Sequence, residues 1–131
     1  MKLVLLVASL GTAACGNTPS VFGPPTETAC PPDGTTLTYE NFAQPFMESY
    51  CTRCHASYLS GADRNGAPSF HDFDTWFGIH VVWDHVDETT AAGPAAINRG
   101  MPLDGPKPTD EERYLLGEWL ACDLPIENPP Q

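Results

Sequence analysis

The chain has 131 residues, 41% of them hydrophobic and 18% charged, and its 6 Lys+Arg against 17 Asp+Glu give a formal charge of −11. That length sets one domain as the expectation, and 11 Gly with 14 Pro imply turns and short elements, not a repeat array or a long coiled coil. The acid excess argues against nucleic acid and against electrostatic adhesion to an anionic membrane, because no basic patch is present to displace counterions from phosphates. A basic or polar protein surface is the partner it favours.

Met1-Lys2 precedes an apolar run, Leu3 to Leu10, that is too short to span a bilayer but suits the core of an export signal. Gly11-Thr-Ala-Ala-Cys15 then leads small residues into a cysteine, as in a bacterial lipoprotein signal whose cleavage leaves Cys15 as a lipidated first residue. Thr12 departs from that pattern, which usually carries a larger aliphatic residue there. The alternative is an ordinary signal cut nearby, with Cys15 a free thiol. On the first reading residues 1–14 are leader, and the protein is exported to the periplasmic or cell-surface side and held at a membrane by Cys15. The leader takes away Lys2 and no acid, so the rest of the chain carries −12. Residues 15–29 read as an anchored linker, with Pro19, Pro24 and Pro25, whose 14 residues after Cys15 would reach roughly 40 Å in polyproline geometry. The domain is expected over residues 30–124, followed by a tail, 125–131.

From Tyr39 to Tyr50, apolar or aromatic residues at 39, 42, 43, 46, 47 and 50 have helical spacing, with Pro45 starting or kinking the helix near Gln44. Cys51-Thr-Arg-Cys54-His55 follows. C-x-x-C-H is the attachment signature of c-type haem: two thiols at this spacing reach one porphyrin edge, and the adjacent imidazole reaches the iron. A thioredoxin-like motif would need a preceding βαβ pattern, which is missing. Zinc would need two further ligands at recognisable spacing, and His80 with His85 come closest. A disulfide between Cys51 and Cys54 is the remaining alternative.

Asp74 is placed to cap a helix starting at Thr75, with Ile79, Val82, Trp83 and Val86 near one face. The iron's second ligand is sought among Met47, Met101, His71, His80 and His85. Met101 lies 46 residues after His55 in Asn-Arg-Gly-Met-Pro, where Pro102 can fix a ligand loop, and a thioether suits an electron carrier by favouring the ferrous state. Met47, on the helix before the motif, reads as core packing, and His80 is the most plausible histidine because its neighbours are apolar. The last helix is marked by a Thr109/Glu112 capping box, acids Asp110 to Glu112 at the positive dipole end, and Leu115, Trp119 and Cys122 at helical spacing. Trp76, Trp83, Trp119, Phe42, Phe46, Phe70 and Phe73 are read as core. No stretch alternates strictly enough for a strand.

Tyr50-Cys-Thr-Arg-Cys-His55, Gly100-Met-Pro102 and the acidic helix Thr109 to Leu120 together resemble a bacterial class I monohaem cytochrome c domain on an exported lipoprotein, over residues 37–124. The resemblance implies an all-α fold wrapped around one haem c, bound covalently by Cys51 and Cys54, with iron ligands His55 and Met101. Arg53 and Arg99 are candidate contacts for the haem propionates. The function implied is single-electron transfer at a membrane surface to a redox partner with a basic docking face, not catalysis. The alternative is a haem enzyme or sensor with an open or labile sixth site acting on peroxide or a diatomic gas. Two cysteines remain, Cys30 and Cys122, in an oxidising compartment. In the fold this chain resembles, the terminal helices cross and the chain ends can meet, so the pair is expected to form a disulfide. Two separate thiols, with Cys122 buried as a small apolar residue, is the other reading.

Overall fold

The computed structural model describes residues 20–123, so the leader over 1–14, the anchor on Cys15 and the tail over 125–131 lie outside the described residues. Within them the architecture is all-α: a π-turn at Tyr39–Ala43, α1 (Gln44–Tyr50), a 3-10 turn at Gly61–Arg64, α2 (Trp76–Val81), α3 (Trp83–Thr90) and α4 (Asp110–Asp123). No strand forms among the described residues, only an isolated bridge between Ala92 and Ile97.

Thr38 starts the first helical run by a capping box: its hydroxyl accepts from the Asn41 N–H, and the Asn41 side chain accepts from the Thr38 N–H. The wider turn before Pro45 has a physical reason. A proline ring clashes with the carbonyl four residues back and offers no N–H, and i−5 bonding relieves both problems before α1 proceeds. The run buries Ala43, Phe46 and Met47, and Met47 is fully enclosed in the core.

In the middle helices the cap shifts by one residue. Thr75, not Asp74, is the N-cap and accepts from the Gly78 N–H, because Asp74 is engaged by the Ser57 N–H and hydroxyl at 2.8 and 2.6 Å. The expected continuous helix also breaks at Val82, whose φ of −130° and ψ of 34° are non-helical. Ile79, Val82 and Val86 stay inside, whereas the break turns Trp83 out to 44% exposure. Phe70, also expected in the core, lies in an irregular loop and is 58% exposed.

In α4 the Thr109/Glu112 box forms as spaced, with Glu112 accepting from the Thr109 N–H at 2.7 Å and Thr109 accepting from the Glu112 N–H at 3.2 Å. The buried stripe is Arg113, Leu116, Gly117 and Leu120 with Trp119, one position round from the expected Leu115–Cys122 line. Gly117 is required by close approach: a Cβ there would stand 2.3 Å from the Ala92 carbonyl. The Tyr50 hydroxyl donates to Glu112 and ties α1 to α4.

From Val21 onward the segment expected as linker is packed on the domain. Gly23 N–H donates to the Glu88 carbonyl, Asn98 donates to the Pro24 carbonyl, and Ala95 N–H donates to the Thr26 carbonyl. Thr26 is 1% exposed and gives both its N–H and its hydroxyl to the buried Asp87 carboxylate, at 2.8 and 2.6 Å. The segment forms no regular element, and long-range polar partners dock it as a strap on α3 and the loop after it. Beyond the strap, Cys30 is disulfide-bonded to Cys122 at the end of α4, with Cα atoms 4.8 Å apart.

Candidate functional site

A cavity of about 360 Å³ opens between the end of α1, the loop after it, α3 and the loop before α4. That is within the size range of ligand pockets, roughly 300–1,000 Å³. Its walls are mostly apolar and include Val21, Phe22, Phe73, Val86 and Leu103. The chain leaves α1 in a turn in which Cys54 and His55 both donate to the Cys51 carbonyl, at 3.1 and 3.0 Å. Helix-like winding brings residues three and four apart to one side, so Cys51, Cys54 and His55 all line the cavity. Met101 joins them from the loop before α4.

Other expected positions fall differently. Arg53 is at the rim, paired at 3.2 Å with Asp104. Arg99 does not line the cavity: it sits exposed in a bidentate contact with Asp110, which the acid-rich start of α4 presents to it. His80 stacks on Trp76 at 4.7 Å, and the histidines that line the cavity are His55, His71 and His85. His71 Nε2 lies 3.2 Å from His85 Nδ1, and Phe22 packs edge-on against the His85 ring.

Burial keeps His55 and Cys51 uncharged. Burial lowers the His55 pKa to about 4, with His71 and Arg64 adding to the effect, so the imidazole is neutral and its lone pair is available. His55 stacks on Phe73 at 4.7 Å, and its buried Nδ1 has no hydrogen-bond partner. An orphaned buried nitrogen costs on the order of 1–3 kcal/mol, a cost that His80 Nδ1, Arg113 Nε and Trp119 Nε1 share with it. Desolvation pushes the Cys51 thiol up to about 12, so it is protonated at neutral pH.

Two buried arginines organise the walls. Arg64 is 5% exposed and binds the carbonyls of Ala56, Leu59, Ala67, Pro68 and His71 as well as the Asp72 carboxylate at 3.0 Å. Arg113 is 2% exposed, and its Nη1 donates to the carbonyls of Thr90, Asn98 and Met101 at 2.8, 2.7 and 3.2 Å. Neither was singled out in the sequence. For Arg113 a signal existed, its place three and four residues before the apolar Leu116 and Gly117; for Arg64 there was none.

The residues present fit the group that the motif implies. Two thiols and a neutral imidazole from one turn, and a thioether from a second loop, face one apolar cavity. A zinc centre finds less, because no three His, Cys, Asp or Glu side chains among the described residues cluster as a metal site. No protein-family model matches the chain, nor does any curated protein or solved structure.

Proposed function

We propose that this chain is a monohaem c-type cytochrome of class I type, an electron carrier held at a membrane on the exported side by a lipid on Cys15. The convergence of Cys51, Cys54, His55 and Met101 on one apolar cavity supports this reading above all else. When bound, haem c supplies a one-electron Fe(III)/Fe(II) couple. Cys51 and Cys54 hold it covalently, and His55 and Met101 ligate the iron.

The chain's own groups suit that task. Burial keeps His55 neutral, so a ring nitrogen can donate its lone pair. Arg113 fixes the Met101 carbonyl and so limits the wandering of the thioether, which favours the reduced state. The apolar walls keep water away, and Leu103, 63% exposed, leaves the rim accessible to a partner. A charge of −12 beyond the leader steers a basic redox protein toward it.

Spectra of the purified protein in both redox states test the reading. The denatured protein keeps its haem through acid-acetone extraction, and the ferric form shows a sulfur-to-iron charge-transfer band that Met101→Ala abolishes. Extractable haem refutes covalent attachment. A band that survives the substitution refutes Met101.

One observation favours the second reading, a haem enzyme or sensor with a labile sixth site: His71 and His85 stand together in the cavity wall. Carbon monoxide or cyanide separates the two. Rapid binding by the protein as isolated supports the enzyme or sensor, and inertness supports the carrier.

A further inference from the structure

We propose that the mouth of the cavity is held toward the membrane bearing the Cys15 anchor, and that the redox partner is an integral protein of that same membrane presenting a basic face. The proposal rests on the lipid-anchored cytochrome reading above. It starts from where the strap begins. Val21 and Phe22 line the cavity, and the Val21 backbone is packed so closely on Gly100 that a Cβ there would stand 1.8 Å from the Val21 carbonyl oxygen. From Gly23 to Thr28 the strap is bonded to α3 and the following loop.

Only six residue steps separate Cys15 from Val21, and whatever path they take they span at most about 20 Å. A domain of about 100 residues has a radius of gyration near 13 Å, and hence a diameter of roughly 34 Å. To turn the cavity mouth straight away from the bilayer, Val21 would have to rise by about that diameter. The tether is too short for it. The roughly 40 Å of a free linker over all of residues 16–29 would have allowed such a rotation.

The rim agrees with this placement. Phe22 and Leu103 are 44% and 63% exposed where they line the mouth, an apolar collar for a protein surface. The −12 charge disfavours direct adhesion to anionic lipid and selects a basic protein within the same narrow layer.

The test uses the lipidated holoprotein in lipid vesicles, with a donor dye on Leu103→Cys at the mouth or on Glu40→Cys, eleven residues before Cys51 on the first helical run. The acceptor is a headgroup-labelled lipid. Energy transfer is expected to be stronger from position 103 than from 40, and the difference is lost when about 20 Gly/Ser residues are inserted after Asn17, which in native membranes also slows haem turnover by the resident partner roughly tenfold. Equal transfer from the two positions in vesicles that carry the protein overturns the proposal alone. Turnover unchanged or faster with the longer tether overturns the membrane partner in favour of a soluble one. Failure to float with vesicles overturns the anchor reading, and the proposal with it.

Discussion

The cavity is walled by two irregular loops, each tied down by one buried arginine, and the two ties differ in charge. Arg64 gathers residues 56–72 behind His55 and carries its own counter-ion, Asp72, at 3.0 Å. Arg113 gathers residues 90–101 behind Met101 with carbonyls alone; no carboxylate among the described residues lies within ion-pair distance of it, and its buried Nε has no partner. Guanidinium stays ionised even when desolvated. The imidazole loop is thus electrostatically closed by a contact ion pair, while the thioether loop holds a buried cation that only the more distant Asp110 and Glu112 offset. Similar architecture serves two ends: one loop is fixed in shape, the other also biases the charge the cavity prefers.

Removing Arg64 should break the first loop most severely. Arg64→Ala strips donors from five carbonyls and leaves Asp72 unpaired, and should cost about 3–5 kcal/mol in chemical denaturation. Arg113→Gln should cost less, about 2–3 kcal/mol, and on the proposed haem reading should also lower the reduction potential, because a buried positive charge favours the state with one more electron. A potential unchanged in Arg113→Gln, measured by redox titration, would erase the contrast between the loops. Met101→Ala should cost about 1 kcal/mol, since the side chain is only half-buried, yet should remove the charge-transfer band entirely.

The smallest effect concerns the start of α4. Thr109 N–H and the Tyr50 hydroxyl hold the Glu112 pKa below its ordinary value. A depressed carboxylate contributes stability that is present above the unfolded-state pKa and is lost as pH falls through the folded one. Glu112→Gln keeps the capping geometry and should shift stability by only a few tenths of a kcal/mol at pH 7, while flattening its acid limb below about pH 4.5, as read by melting temperature against pH.

What spacing made legible was local, while the long-range Cys30–Cys122 pair came from the resemblance to a cytochrome fold. The Thr109/Glu112 box and the clustering of Cys51, Cys54 and His55 depend on residues within one turn, so spacing alone gives them. Spacing does not reveal the strap, because Pro24 and Pro25 look alike in a free linker and in a docked irregular segment. What distinguishes the two is Asp87, sixty-one residues away from Thr26. The outward turn of Trp83 escapes spacing for a related reason: the break at Val82 has no proline or glycine to announce it. Arg99, a candidate propionate contact from the sequence, is held instead by a nearer carboxylate, Asp110, which spacing alone does not show.

The strap has a consequence for the order of assembly. Its partners are 61 to 74 residues downstream, at Asp87 and Asn98, and the disulfide just after it closes over a separation of 92. A chain threaded across a membrane N-terminus first, as the leader reading requires, delivers this segment before anything it can bind. Until α3 and the loop after it emerge, Thr26 has no acceptor and Asp87 no donor, and contacts at such separation form late because loop-closure entropy must be overcome first. The first part of the domain to arrive is therefore among the last to settle, and until it docks the cavity lacks the wall that Val21 and Phe22 supply.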